Sequence, residues 1–173
     1  MPLNLEAKKE VVAEVNTVAA SALSAVAAEY RGLTVAEMSE LRVEARKADV
    51  YVRVVKNTLA RRAVEGTEFE CLRERLTGPL ILAFSREDPG SAARVIKGFA
   101  KNHAKLVPVG VAIGGALYEA GDLDRVAALP TLDEARAKLL GTLQAPMSQL
   151  VRTLAEPAAM LARTLAARSE QAA

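Results

Sequence analysis

The chain has 173 residues, a formal net charge of +2, 51% hydrophobic residues and only 3% aromatic residues, with no tryptophan. This composition predicts an aliphatic core and disfavours base stacking on exposed aromatic rings as the main mode of contact with a partner. Cys71 and His103 are the only cysteine and histidine, which excludes an intramolecular disulfide and disfavours a metal site or a Ser-His-Asp triad. We therefore expect no enzymatic activity, no cofactor and no bound metal.

The first elements are predicted from capping residues and from the spacing of apolar side chains. Asn4 is a candidate N-cap for a helix over residues 6–20, in which valines recur at helical spacing. Residues 21–30 are ambiguous, because their alanines favour a helix while their apolar residues also alternate as in a strand. Thr34 and Glu37 form a capping-box pattern that predicts a second helix over the residues that follow.

The middle of the chain predicts a strand followed by short helices. Residues 50–56 are rich in β-branched side chains and predict a strand. Asn57 or Thr58 is expected to cap a short helix that ends at Gly66, and another helical piece is expected over 69–76.

The remaining elements complete a mixed pattern. Residues 80–85 predict a buried strand, 91–103 a helix and 105–115 a returning strand that Pro108 interrupts. If 21–30 is also a strand, the order of strands and helices is that of a ferredoxin-like split βαβ fold of the α+β class. We expect residues 1–130 to form this body and residues 131–173 to form a long, kinked C-terminal helix.

An 11-residue sequence repeat occurs three times near the C-terminus, over residues 139–149, 150–160 and 161–171. Eleven residues make almost three helical turns, so each copy directs its apolar positions to nearly the same side of the helix. The expected partner-binding stripe comprises Leu139, Leu140, Leu143, Leu150, Val151, Leu154, Leu161 and Leu165. The alternatives are a helix that folds back onto the body and a self-associating coiled coil.

The repeats also carry a proline in register. Pro146 and Pro157 both occupy position 8, whereas Arg168 stands there in the third copy. Proline inside a helix costs about 3 kcal/mol and kinks it, so we expect joints between short helical segments. The third copy is expected to be the weaker site.

Basic residues concentrate in two runs. Residues 42–62 contain seven lysines and arginines against two acidic residues, and residues 94–105 contain four basic residues and no acidic one. The strand-to-helix junction near residue 56 would present backbone N–H groups beside cations, an arrangement that favours phosphate. The candidate RNA-binding residues are Gly32, Arg42, Arg46, Lys47, Arg53, Lys56, Asn57, Thr58, Arg61 and Arg62. The alternative is a solvated charged face with no ligand.

Three stretches, YRGLTVAEMSELR (30–42), VYVRVVKNTLARRAVEGTEFE (50–70) and TGPLILAFSREDPGSAAR (77–94), closely resemble the bacterial large-subunit ribosomal protein L-ten family. The resemblance covers essentially the whole chain, and VVKNTLARRA is its most specific part. It implies a body that binds large-subunit ribosomal RNA beside the stalk-base protein L-eleven. It further implies a C-terminal helix that carries dimers of the acidic stalk protein L-seven/L-twelve, which help to recruit translational GTPases.

The resemblance and the repeats together set the remaining expectations. Three repeats predict three docked dimers, and the family raises translational autoregulation through the protein's own messenger RNA. The N-terminus lacks the apolar run of a signal peptide and no stretch could span a membrane, so we expect a cytoplasmic protein on the large ribosomal subunit. The competing hypothesis is a standalone helical-repeat adaptor that binds protein partners without RNA.

Overall fold

The computed structural model describes residues 4–172, and side chains over residues 4–169. By its internal contacts the chain divides into two units, residues 1–131 and 132–173. The strands are β1 (Ser24–Glu29), β2 (Val50–Val54), β3 (Leu80–Ser85), β4 (Val107–Ile113) and β5 (Ala116–Glu119). The α-helices are α1 (Leu5–Ser21), α2 (Val35–Lys47), α3 (Asn57–Val64), α4 (Ser91–Asn102), α5 (Leu123–Ala127) and α6 (Leu132–Ala172), with 3-10 helices at Glu70–Arg75 and Ala120–Asp122.

The five strands of the first unit form one sheet in the order β2-β3-β1-β4-β5, and every neighbouring pair is antiparallel. Helix α2 connects β1 to β2, and β3 lies between these two strands. Helix α4 connects β3 to β4, and β1 lies between them. Both crossovers are thus split βαβ units. The predicted α+β, ferredoxin-like body is confirmed.

The ambiguous segment at 21–30 contains β1, the central strand. Its alanines alternate between the two faces of the sheet: Ala25 and Ala27 pack with one core cluster, and Val26 and Ala28 with the other. Small side chains suit this strand because helices cover the sheet on both sides. Helices α1 and α3 and the 3-10 helix at Glu70–Arg75 cover one face, while α2, α4 and α5 cover the other.

Two local predictions at helix starts are confirmed. The Asn4 side chain accepts a hydrogen bond from the Leu5 backbone N–H at 2.8 Å. Thr34 and Glu37 form the reciprocal capping box at the start of α2. Both caps satisfy N–H groups that have no partner within their own helix.

Strand β5 is a feature that the sequence analysis missed, whereas the predicted interruption of the 105–115 strand at Pro108 is a bulge in β4. A tight turn at Gly114 and Gly115, which have φ angles of 54° and 80°, returns the chain as β5. The register between β1 and β4 shifts where Ala27 pairs with Gly110 and Ala28 with Pro108. Proline has no N–H to donate to a sheet, and such bulges are among the few places where a strand tolerates it.

The second unit is helix α6, which runs without interruption from Leu132 to Ala172 and contains both Pro146 and Pro157. The predicted separation into short segments was wrong, because the helical backbone continues through each proline. A bend at each proline stays a prediction. None of the helices in the described part of the chain combines the length and apolarity needed to cross a membrane.

Candidate functional site

The strand-to-helix junction lies at one edge of the sheet, where β2 ends and α3 begins. Lys56 occupies the N-cap position of α3, but no side chain caps this helix. The Asn57 side chain instead donates from Nδ2 to the Gly78 carbonyl at 2.8 Å, so the expected capping role of Asn57 or Thr58 was wrong. Lys56 and Thr58 are exposed beside this tether.

An open groove of about 320 Å³ passes over the junction. It is formed where β1 and β2 end and β3 begins, since Glu29 pairs with Leu80 and Val54 with Ile81. Its lining residues are Tyr30, Val54, Val55, Lys56, Asn57, Thr58, Gly78, Pro79 and Leu80. Tyr30 was not among the predicted site residues, because only the pairing of the strands brings it to the groove.

The two arginines of α3 differ in their surroundings. Arg61 is half-buried and donates from Nη2 to the Leu76 carbonyl at 2.7 Å, while its Nε is buried without a partner among the described groups. Arg62 is exposed and lines a second groove between α1 and α3. Arg61 therefore anchors α3 to the loop before β3, and Arg62 is available to a ligand.

Arg53 lies on the edge strand β2 and is engaged within the protein. Its guanidinium forms an ion pair with Glu14 of α1 and donates to the Tyr51 hydroxyl at 2.9 Å. The Tyr51 hydroxyl donates in turn to Glu14 at 2.7 Å. These two hydrogen bonds, first from Tyr51 and then from Arg53, lower the pKa of the Glu14 carboxyl. Arg53 thus links α1 to the sheet.

The basic residues of α2 lie along the same sheet edge but toward its other end, because α2 runs back to the start of β2. Arg42, Arg46 and Lys47 are exposed. Arg42 and Arg46 line a cleft of about 400 Å³ beside β2, and Arg46 also donates from Nε to the Arg42 carbonyl at 3.2 Å. The basic residues of this run therefore lie along the edge strand β2 and do not form one compact site.

Gly32 and the second basic run meet near the junction end of the sheet. Gly32 has a φ angle of 85° in the turn that follows β1, and a side chain built there would lie 3.5 Å from Lys105 Cδ. Lys101 and Lys105 are exposed, whereas Arg94 pairs with Asp88 and Lys97 with Asp124. Only part of this run is therefore available to an external anion.

The predicted stripe on α6 is exposed along its whole length. The central leucines Leu143, Leu154 and Leu165 are 67%, 74% and 69% accessible. The other stripe residues, Leu139, Leu140, Leu150, Val151 and Leu161, are 57–67% accessible. Contiguous exposed apolar rows of this kind are candidates for interaction surfaces.

The described residues offer little for metal binding or for cysteine chemistry. No group of three or more His, Cys, Asp or Glu side chains there could hold a metal ion. Cys71 is half-buried against the core, and burial raises the pKa of its thiol. A raised pKa lowers the thiolate fraction and hence the reactivity of a cysteine.

Comparison with known proteins identifies the family. The family model for ribosomal protein L10 matches residues 3–101, and that for the ribosomal protein uL10 C-terminal region matches residues 129–156. The chain is 63% identical over 140 residues to large ribosomal subunit protein uL10 of Thioalkalivibrio sulfidiphilus, covering 81% of this chain and 80% of that protein. The identities with the proteins of the same name from Marinomonas sp. and Alcanivorax borkumensis are 61% and 59%, covering 81% of this chain and 84% and 80% of theirs.

The first of the two family models spans more than half of the chain, and its match includes the sheet edge with its basic residues. The second reaches into α6 and ends within the second repeat. The chain therefore belongs to the ribosomal protein L10 (uL10) family, as a structural, non-enzymatic protein of the large ribosomal subunit located in the cytoplasm.

Proposed function

We propose that this protein is a scaffold at the base of the ribosomal stalk, whose body binds large-subunit ribosomal RNA and whose helix α6 carries dimers of the acidic stalk protein L-seven/L-twelve. The observation that carries the proposal is the exposed apolar stripe, which repeats every eleven residues on one continuous helix. A repeated surface fits a partner that binds several times in the same way.

In this proposal the burial of leucine side chains is the main source of free energy for docking. Burial of one leucine side chain contributes roughly 1.5–3 kcal/mol, and each repeat has a leucine at positions 1 and 5. The residue at position 2 widens the surface in each repeat. Part of this free energy is offset by the cost of ordering both partners. Three repeats lead us to expect three docked dimers.

The two other uses of the stripe have less support. A helix folded back onto its own body could cover a single repeat, whereas three aligned copies extend about 50 Å at 1.5 Å per residue, which is more than a small body can cover. A left-handed coiled coil requires a seven-residue period, whereas this repeat has eleven residues and two prolines in register.

Native mass spectrometry of this chain co-expressed with the acidic stalk protein of the same organism tests the docking. Six copies of the partner per chain would establish three dimer sites. Four copies would retain the function and remove the third repeat as a site. If no complex forms, docking is refuted and the stripe must have another role.

RNA binding is supported by the exposed basic groups around the sheet edge. Lys56, Thr58 and Arg62 flank the junction, and Arg42 and Lys47 extend the surface along α2. Structured RNA is recognised mainly through its shape, phosphates and 2′-hydroxyls, which suits a cationic surface with few aromatic side chains. In this proposal the protein L-eleven binds next to the body, and the docked dimers help to recruit translational GTPases. Autoregulation through the protein's own messenger RNA belongs to the same proposal.

RNA protection mapping distinguishes the scaffold from a standalone adaptor. A scaffold protects a defined segment of large-subunit ribosomal RNA from cleavage, and protection weakens when Lys56 and Arg62 are both replaced by alanine. An adaptor would assemble its protein partner and leave the RNA unprotected.

A further inference from the structure

The repeats of α6 have a polar edge beside the leucine stripe. Thr142, Pro146 and Leu150 follow one another at intervals of four residues, and Thr153 comes three residues later. Residues with this spacing lie on one side of a helix. These residues, with Ala145 and Gln149, line an open depression of about 580 Å³ between the first two repeats.

The prolines change which polar groups this edge offers. In an α-helix each carbonyl accepts from the N–H four residues later, so Pro146 and Pro157 leave the carbonyls of Thr142 and Thr153 without that donor. Both threonines and both prolines are exposed. No described side chain donates to either carbonyl.

The threonine hydroxyls do not compensate for the missing donors. Thr142 Oγ1 donates to the Leu139 carbonyl at 2.8 Å, and Thr153 Oγ1 donates to the Leu150 carbonyl at 2.9 Å. Each hydroxyl has thus used its one proton within its own helix. Each proline therefore leaves one backbone carbonyl of this edge without its usual helical donor.

The third repeat differs in this respect. Thr164 Oγ1 donates to the Leu161 carbonyl at 2.9 Å, as in the other repeats. However, Arg168 stands where the proline would be, and its backbone N–H can complete the helical bond to the Thr164 carbonyl. The acceptor is therefore present in two repeats and absent from the third.

We propose that the carbonyls of Thr142 and Thr153 are polar anchor points for the docked partner, which presents a hydrogen-bond donor such as an ammonium, guanidinium, amide or hydroxyl group to each. The inference rests on the proposed docking function and adds the chemistry of the contact. Leucine burial supplies affinity without fixing the position along the helix, whereas a directional hydrogen bond fixes the register. The first two repeats then bind more tightly than the third.

Pro146→Ala separates this role from that of a proline that only weakens the helix, because the two predict opposite results. Alanine restores the helical N–H and raises helix propensity. If the proline only weakens the helix, replacing it by alanine should therefore increase the affinity for the partner. Loss of an anchor instead weakens binding at the first repeat by about three- to tenfold, the range expected for one hydrogen bond.

Gly141→Ala is the matched control. Gly141 lies two residues from both Leu139 and Leu143, on the side of the helix away from the stripe, and an added Cβ meets no atom within 4 Å. The substitution raises helix propensity without changing any carbonyl at the proline positions. Partner affinity should stay equal or increase.

The test is to measure the stepwise dissociation constants of the full chain for the acidic stalk protein, by calorimetry and native mass spectrometry. We expect weaker binding by Pro146→Ala and Pro157→Ala, and unchanged or tighter binding by Gly141→Ala. We also expect Arg168→Pro to bind the partner more tightly at the third repeat. Tighter binding by the two proline variants would overturn the anchors and leave docking intact. Absence of binding by the unmodified chain would overturn docking itself, and the anchors with it.

Discussion

At the scale of single residues, the predicted RNA-binding set separates into groups that the body uses and groups that it leaves available. Arg53, Asn57 and Arg61 each bond to another element of the body. Lys56 and Arg62 have no such bond among the described residues and remain exposed. The first three residues hold the junction in place, and the latter two are the candidates for phosphate contacts.

This division predicts different salt dependences. Replacing Lys56 by alanine should weaken binding to a stalk-base RNA fragment and reduce the slope of log affinity against log salt by about one, because one phosphate contact is lost. Asn57→Ala should leave the slope unchanged and lower the free energy of unfolding by about 1 kcal/mol, through loss of its bond to Gly78. Fluorescence anisotropy at several KCl concentrations and urea unfolding provide the measurements. An unchanged slope for Lys56→Ala would exclude that residue from the RNA contact.

The Glu14–Tyr51–Arg53 cluster predicts a pH dependence. The pKa of Glu14 is lowered in the folded protein, so its stabilising effect is complete above the unfolded-state value of about 4.3 and is lost as the pH falls through the folded-state pKa. Glu14→Gln should therefore be less stable than the unmodified protein at pH 7, and the difference should shrink below about pH 4. Urea unfolding of both proteins across pH 3–7 measures this, and a difference that is constant with pH would contradict it.

At the scale of elements, the packing of α4 against α5 depends on a close backbone approach. A Cβ added at Gly90, at the start of α4, would lie 3.0 Å from the Val126 carbonyl oxygen and 3.2 Å from that of Leu129. Both atoms are backbone atoms and cannot rotate away. Gly90 is therefore required by the space available and not by its φ angle of −91°.

Two glycines of the same region give a matched pair. Gly90→Ala should destabilise the body by about 1–3 kcal/mol, because the added methyl group forces α4 and α5 apart. Gly98→Ala, within α4 at an exposed position where a Cβ meets nothing within 4 Å, should stabilise the body by up to about 1 kcal/mol. Thermal unfolding of both variants measures the two effects. Equal melting temperatures for the two variants would refute the steric explanation.

At the scale of the whole molecule, the two units have different sources of stability. The body has two apolar clusters, one on each face of its sheet. Helix α6 exposes its leucines and consists of a single element. Isolated helices gain little stability from propensity alone, so we expect bound partners to stabilise α6, whereas the body depends on its own core.

Deletion of residues 161–173 is a test at this scale. It removes the third repeat, so the number of bound acidic dimers should fall from three to two. The affinity for RNA should remain unchanged, because the exposed basic residues of the sheet edge stay in place. Native mass spectrometry counts the dimers and anisotropy measures the RNA affinity. Retention of three dimers would contradict the assignment of one dimer to each repeat.

The sequence alone determined the features that depend on local spacing. The capping residues Asn4 and Thr34 predicted the starts of α1 and α2, because a cap acts within four residues of the chain. The buried strand at 80–85 and the 11-residue period of α6 were equally evident, since both follow from the alternation or recurrence of apolar side chains. The strand order of the ferredoxin-like body followed from this sequence of elements only on the condition that residues 21–30 form a strand.

The tertiary structure decided what depends on distant partners. The segment at 21–30 became a strand because β3 and β4 bond to it on both sides. Asn57 does not cap α3, because its side chain donates instead to the carbonyl of Gly78, 21 residues away in sequence. Arg53 and Arg61 became internal contacts for the same reason. Side-chain type predicts that a residue can bind an anion, but only the folded arrangement determines whether its hydrogen bonds are already used.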